Sequence, residues 1–324
     1  MTSGLQPAFE ELVQRMAPEK SASKLLLENI AMNGVGRLGA LLNIAFGSRA
    51  DTKPGILTYH RIAPRIAGIP FPSHNVTPQV FRNQITGLLR RGYVIRPLRE
   101  VLDWHRDNVE PPARTVVVTF DDGFESVHSN AWPVLRELNV PATIFINTAF
   151  LDSARPFPFD HWAFEREAEL PPHTYRPLTT DQCREMAESG LIELGAHTHT
   201  HQDFRGRVDE FERDLQLNLD ELAKRFRIEA ATFAYPVGSP HRGFAGGELL
   251  EAVRRTNLLC ALTTESVLVD VAHDPFQWGR FNVFPWDTSA TLSGKLGGWY
   301  SWAPKVRRQT VELLRHILRV TRTG

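Results

Sequence analysis

Two pairs of residues in this sequence have the types and spacing of a metal site. Asp121 and Asp122 follow a run of β-branched and aromatic residues, and His197 and His201 follow a second apolar run further along the chain. Two imidazoles and one carboxylate form a common ligand set for a divalent metal ion and leave coordination positions for water and substrate. His197 and His201 are four residues apart, a spacing that brings their side chains together if the segment makes one helical turn. We therefore predict a metal site formed by both histidines and one of the aspartates.

The other aspartate would lie beside the metal without binding it. A divalent ion lowers the pKa of water towards about 7 and polarises an amide carbonyl, so a neighbouring carboxylate can accept the proton of the attacking water. Cleavage of an amide also requires an acid for the departing amine, and His60 is the best-placed candidate. An Asp-Asp-Gly sequence alone usually forms a turn. The prediction therefore depends on the combination of the aspartates with the downstream histidines.

The chain between residues 51 and 290 alternates short β-rich runs with amphipathic helical patterns. This alternation is typical of parallel βα units, and about seven units favour an irregular (β/α)7-type barrel over an open sheet. Reactive side chains of such barrels lie just beyond the carboxyl ends of strands, where His60 and both pairs are found. The predicted strands are Ile56–Tyr59, Tyr93–Arg96, Thr115–Phe120, Ala142–Ile146, Leu191–Gly195, Ala231–Tyr235 and Leu259–Thr263. The clearest predicted helices are Pro78–Arg91, with Thr77 as its N-cap, and Val208–Phe226.

Helical extensions are predicted on both sides of this catalytic domain, over residues 1–50 and 291–324. Leu25–Phe46 is interrupted by charged and amide side chains, and Lys305–Gly324 is basic and amphipathic. Docking of both helices on the barrel is favoured, and contact with a membrane surface is the alternative. Phe150–Leu178 breaks the alternation and is long for a loop, which makes it a candidate lid over the site.

The composition limits the possible partners and compartments. Lys plus Arg equals Asp plus Glu at 37 each, whereas a nucleic-acid-binding protein usually has a basic excess. The two cysteines, Cys183 and Cys260, have no partner at metal-ligand spacing, so neither a zinc ribbon nor a disulfide framework is expected. The first residues lack the pattern of a signal peptide. We expect a cytoplasmic protein, with membrane association as an alternative, and the oligomeric state is not indicated.

These motifs resemble those of a known enzyme family. Thr119–Gly123 and His197–His201 resemble the first two motifs of the polysaccharide deacetylases, the NodB-homology or carbohydrate esterase family 4 group. The resemblance implies that Asp121 is the general base and that Asp122, with the two histidines, binds the metal. Ala234–Gly238 resembles the third motif, in which the N–H of Val237 would bind the oxyanion.

The sequence departs from the family pattern at two places. Ala234 replaces the arginine that usually begins the third motif, and Arg280 is our candidate for the group that orients Asp121 instead. No Leu-x-His motif follows the last predicted strand. Leu57–His60 near the start resembles the circularly permuted branch, which is similar to the poly-N-acetylglucosamine deacetylases, and this assigns the acid to His60 a second time.

The implied reaction is removal of N-acetyl groups from an amino-sugar polysaccharide, oligosaccharide or lipid-linked precursor. Zn²⁺ is the expected ion, although this ligand set also accepts Co²⁺ or another divalent ion. Two alternatives remain open: an amidase acting on a non-sugar C–N bond, and a non-catalytic glycan-binding barrel. Three tryptophans are candidates for stacking on sugar rings, with core packing as the alternative: Trp162, Trp278 and Trp286.

Overall fold

The computed structural model describes residues 22–72 and 74–300. The predicted C-terminal helix Lys305–Gly324 and the first 21 residues of the predicted N-terminal extension lie outside the described residues. Within the described part, no helix is both long enough and apolar enough to cross a membrane.

A curled parallel sheet forms the centre of the molecule. The strands of this sheet are β1 (Gly55–Tyr59), β4 (Val94–Ile95), β5 (Thr115–Phe120), β6 (Ala142–Ile146), β7 (Ile192–Ala196), β8 (Phe233–Ala234), β9 (Ala261–Leu262) and β10 (Phe281–Asn282), and a separate pair is formed by β2 (Arg61–Ile62) and β3 (Asn75–Val76). The strands of the sheet follow the order β10-β1-β5-β6-β7-β8-β9, and β4 pairs with β5 beside this path. An isolated parallel bridge between Leu262 and Trp278 joins the end of β9 to the segment that leads into β10, so the curled sheet nearly closes. The predicted irregular (β/α)7-type barrel is thereby confirmed.

Helices surround the sheet. The 19-residue helix predicted at Val208–Phe226 has those bounds, and the helix after Thr77 ends at Arg90, with the Thr77 hydroxyl capping the N–H of Val80. Strands β8 and β9 are shorter than predicted, and β10 was not predicted. The helices are α1 (Ala22–Phe46), α2 (Pro78–Arg90), α3 (Leu98–Asp107), α4 (Trp132–Glu137), α5 (His161–Phe164), α6 (Thr180–Glu188), α7 (Val208–Phe226), α8 (Gly247–Arg254) and α9 (Ser289–Gly294).

Strand alternation determines which side chains face the barrel interior. Ile56 and Val117 pack in one apolar cluster with Phe145, which also includes two residues of α3, whereas their neighbours Leu57 and Val118 pack in a larger cluster with residues of several other helices. Because side chains alternate every second residue, the interior face of β5 continues from Val117 towards Asp121. The apolar strand thus ends with a carboxylate directed into the mouth of the barrel.

The N-terminal helix packs against the segment that follows the barrel. A Cβ added at Gly294 would lie 2.6 Å from the carbonyl carbon of Gly39, so α1 and α9 approach each other through their backbones. Helix α9 crosses the boundary predicted between residues 290 and 291. The division into three parts, the membrane contact and the cytoplasmic location remain predictions. Among the side chains of α1 from residue 32 onward, which the structure describes, four large apolar ones are exposed: Leu38, Leu41, Ile44 and Phe46.

Candidate metal and catalytic site

Asp122, His197 and His201 lie together at the carboxyl edge of the sheet. Their ligand atoms are all within 4.8 Å of one another, and Asp122 Oδ1 is 3.5 Å from Nε2 of each histidine. Asp122 and His197 are buried, and His201 is nearly so. Three ligand atoms at these separations can share one divalent ion and leave the remaining coordination positions open. The predicted ligand set is therefore brought together by the fold, and its metal binding remains a prediction.

The histidine segment is not the helical turn that its spacing suggested. Residues 197–201 form a bend in which Thr198 has a φ of 64° and His201 a φ of 54°. Asp122 has a φ of 73°. Non-glycine residues rarely adopt such angles, and they are retained where the surroundings enforce them, often at functional sites. The two imidazoles meet because the chain reverses after β7, and not because the residues share one face of a helix.

Helix α7 enforces this bend through two polar side chains on its buried face. Asn218 accepts a hydrogen bond from the N–H of His197 (3.1 Å), and Asp214 accepts from the N–H groups of His199 (2.6 Å) and Thr200 (3.1 Å). From the end of β6, the amide of Asn147 donates to the carbonyl oxygens of residues 197 and 198. None of these three bracing residues was predicted from the sequence. For two of them the sequence does contain a signal, since Asp214 and Asn218 are polar residues four apart on the otherwise apolar face of α7.

Each ligand ring is also held in place. Nδ1 of His197 lies 2.7 Å from the carbonyl oxygen of Ala234, so this nitrogen donates its proton there and Nε2 is left free for the metal. The ring of His201 stacks on Phe159, with 4.0 Å between the ring centroids. Burial lowers the pKa of His201 to about 4, which keeps the imidazole neutral and able to bind a cation. His199, between the two ligand histidines in sequence, contacts the hydroxyl of Thr148 instead.

Asp121 is paired with Arg280. The guanidinium of Arg280 donates to both carboxylate oxygens of Asp121, at 2.6 and 2.8 Å, and neither side chain is more than 4% exposed. Burial raises the pKa of Asp121, but the charges of Arg280 and the neighbouring histidines outweigh it, and the pKa lies below its usual value. Arg280 thus pairs with Asp121 as we predicted, in a sequence that has Ala234 in place of the arginine that usually begins the third motif.

The pKa of Asp122 is also below its usual value. Burial raises it, whereas the hydrogen bond with His197 and electrostatic interactions with His60 and His201 lower it more strongly. Both aspartates are therefore ionised at neutral pH.

His60 and Val237 occupy the ends of neighbouring strands. His60 follows β1, directly beside β5, and interacts electrostatically with both aspartates. Val237 follows β8 with a φ of 60°, and its carbonyl oxygen accepts a hydrogen bond from the Thr264 hydroxyl at 2.9 Å. Within the described residues, the N–H of Val237 donates to no other protein group, which leaves it available to a ligand.

The predicted lid, Phe150–Leu178, lies against the site. Phe159 covers His201, and the neighbouring Asp160 forms a buried ion pair with Arg61, the residue after His60. Of the three candidate tryptophans, Trp278 is 3% exposed and belongs to the core. It is therefore not available for stacking on a sugar ring, and the alternative of core packing holds for this residue. Trp162 covers the guanidinium of Arg61, and Trp286 is partly exposed.

Fold and site together define a class of protein: a parallel α/β barrel with an Asp-His-His cluster at its carboxyl edge, a ligand set that can hold a divalent ion. Residues 108–255 match the family model described as polysaccharide deacetylase. This segment includes both aspartates and both ligand histidines, whereas His60 and Arg280 lie outside it.

Individual relatives agree with this match. The chain is 24% identical over 220 residues to a poly-β-1,6-N-acetyl-D-glucosamine N-deacetylase of Staphylococcus epidermidis, covering 65% of this chain and 68% of that protein. It is 26% identical over 175 residues to the enzyme of the same name from Staphylococcus aureus, covering 51% of this chain and 54% of that protein. The chain thus spans about half the length of the S. aureus relative.

Solved structures show the same fold. The deacetylase PplD of Streptococcus pyogenes in complex with acetate superposes with a TM-score of 0.61 at 22% identity, covering 75% of this chain and 98% of PplD. IcaB of Ammonifex degensii superposes with a TM-score of 0.60 at 22% identity, covering 77% and 97%. Residues 108–255, which carry the aspartate and histidine motifs, are thus similar to the polysaccharide deacetylase family, as those motifs predicted.

Proposed function

We propose that this protein is a metal-dependent hydrolase that removes N-acetyl groups from an amino-sugar polysaccharide. The observation that carries the proposal is the Asp122, His197 and His201 cluster, with a second carboxylate, Asp121, held beside it by Arg280. The curated relatives, named as deacetylases of poly-β-1,6-N-acetyl-D-glucosamine, favour a polymer of N-acetylated glucosamine as the substrate.

The ligand set fits a divalent cation. Asp122 supplies an ionised carboxylate, and the contact of His197 Nδ1 with Ala234 directs its Nε2 to the cluster. Zn²⁺ is the ion we propose, since it takes nitrogen and oxygen ligands in this number at catalytic sites. When bound, such an ion lowers the pKa of water and polarises the acetamide carbonyl.

Asp121 would act as the general base. Its carboxylate is ionised and fixed by two hydrogen bonds from Arg280, so it can accept the proton of the attacking water without first reorganising. The paired guanidinium also keeps Asp121 from turning towards the metal. Asp122, one residue later, is left as the metal ligand.

His60 and Val237 would complete the reaction. The N–H of Val237 can donate to the carbonyl oxygen as negative charge develops on it. His60 lies at the end of the strand beside Asp121 and can give a proton to the nitrogen of the sugar as the C–N bond breaks. The products are acetate and a free amino sugar.

The test is acetate release from β-1,6-linked N-acetylglucosamine oligomers by the Zn²⁺-loaded protein. We expect turnover that stops on chelation and returns when metal is restored. A small cyclic amide, offered at the same concentration, should be a poor substrate. Absence of acetate release from every N-acetylated glycan, with the metal site filled, would overturn the proposal.

A further inference from the structure

A pair of stacked aromatic rings lies on the far side of His60 from the metal cluster. The rings of Phe284 and Trp286 are 4.7 Å apart at an angle of 5°, and both residues are partly exposed. They follow β10, which pairs with β1 so that Asn282 lies opposite Thr58. Two residues further along each strand, Phe284 is level with His60. We refer to Phe284 and Trp286 as the aromatic shelf.

The aromatic shelf lies next to His60 along the same edge of the sheet as the two aspartates. Strand β1, which ends at His60, lies between β5, which ends at the two aspartates, and β10. The ring of His74 bridges the gap, at 4.8 Å from His60 and 5.7 Å from Phe284. Because neighbouring strands are about 4.8 Å apart, β5 and β10 are separated by about 10 Å. A glycan with one sugar at the metal therefore has its next sugars within reach of the shelf.

The turn that carries the shelf is rigid. Asp287 accepts a hydrogen bond from the N–H of Phe284 at 2.9 Å and forms a buried ion pair with Lys295 at 2.7 Å. Gln84, on α2, donates to the carbonyl oxygen of Asp287 at 2.8 Å, and the hydroxyl of Thr291 donates to its carboxylate at 2.9 Å. This bonding keeps two large apolar rings at the surface in one orientation. A preformed platform loses little conformational entropy when a ligand binds.

We propose that the aromatic shelf is a subsite for a sugar residue that neighbours the one being deacetylated. The C–H groups on the face of a pyranose carry partial positive charge and pack well on the negative face of an aromatic ring. The proposal rests on the proposed function for the identity of the glycan. It adds that the enzyme recognises an extended chain, in which the partly exposed rings of the aromatic shelf bind sugar residues that do not react.

The test compares a dimer and a pentamer of β-1,6-linked N-acetylglucosamine as substrates for wild type and Trp286→Ala. We expect Trp286→Ala to raise KM for the pentamer about five- to tenfold with little change in kcat, and to affect the dimer less. Trp286→Tyr should restore most of the affinity, which separates loss of stacking from misfolding. The matched control is Phe46→Ala, which removes an exposed aromatic side chain, 72% accessible, from helix α1. An unchanged KM for the pentamer, or an equal loss on dimer and pentamer, would overturn the subsite.

Calorimetric titration separates this proposal from the proposed function. If wild type releases no acetate from any glycan, the proposed function fails and the subsite is decided by binding of the pentamer. Weaker binding to Trp286→Ala than to wild type supports the shelf, and equal affinity overturns it.

Discussion

Asp121 and Asp122 are adjacent in sequence, but their carboxylates contact different partners. Asp121 is held by a guanidinium, and Asp122 faces two imidazoles. Asp122 also has a φ of 73°, so the backbone turns sharply at the second aspartate. Their residue types and their position at a strand end were enough to predict a metal site with a free carboxylate beside it. The conformation of the turn was not predictable, because positive φ at a non-glycine residue depends on tertiary contacts.

Arg280 should control the pH dependence of the reaction through Asp121. Burial alone raises the pKa of this carboxyl, and the charge of Arg280 reverses that effect. In Arg280→Gln the pKa of Asp121 therefore rises, and because the base must be ionised, the acidic limb of the kcat/KM profile should move to higher pH. The measurement is kcat/KM against pH for wild type, Arg280→Gln and Arg280→Lys.

Arg280→Lys, which keeps a positive charge, should move the acidic limb less. Losing the partner of a buried charge costs about 3–5 kcal/mol, so the profiles should be recorded well below the unfolding temperature of each variant. An acidic limb that stays at the wild-type pH in Arg280→Gln would show that Asp121 is not the titrating base.

At the scale of elements, helix α7 shows why some features could be predicted and others not. Its 19 residues carry a long amphipathic pattern, and its bounds were predicted correctly. Strands β8, β9 and β10 have two residues each, too few for any pattern to specify their ends. The sequence also did not indicate that Asp214 and Asn218 hold the histidine bend by hydrogen bonds. Polar residues on a helix are usually solvated, and only the fold shows that these two face the histidine bend.

Asn218→Ala should weaken metal binding without unfolding the protein. The change removes the acceptor for the N–H of His197 and the donor to the Ile146 carbonyl, so the ligand ring loses its fixed position. Loss of such supporting contacts typically lowers metal affinity about 10- to 100-fold. Competition with a chelator of known affinity measures the effect. Asp220→Ala, on the exposed side of the same helix, is the matched control, and equal metal affinities for the two variants would rule out the bracing role.

At the scale of the whole molecule, the N-terminal helix α1 packs closely against α9, and glycines lie at the point of contact. The sequence predicted a helix ending at Phe46, and it favoured docking on the barrel. It did not indicate the docking site, because close backbone approach depends on two glycines more than 250 residues apart, Gly39 and Gly294. The near closure of the sheet through Trp278 was equally hidden, since a single bridge has no sequence pattern.

Gly294→Ala should destabilise the folded protein. The new methyl group would lie 2.6 Å from the carbonyl carbon of Gly39, and such overpacking typically costs about 1–3 kcal/mol. Gly34→Ala, where a Cβ meets nothing within 4 Å, should instead be neutral or stabilise helix α1 by up to about 1 kcal/mol. Urea unfolding of both variants measures the difference. Equal free energies of unfolding would mean that α1 does not pack against α9 in solution.

The central claim is that one of two adjacent aspartates binds the metal and the other moves a proton. The most direct test measures the metal-to-protein ratio and the rate of acetate release for Asp121→Asn and Asp122→Ala. We predict that Asp121→Asn keeps about one metal ion per chain and loses about 10²- to 10⁴-fold in turnover. Asp122→Ala should lose both the metal and the activity. Wild-type turnover by Asp121→Asn, or a full complement of metal in Asp122→Ala, would contradict the assignment.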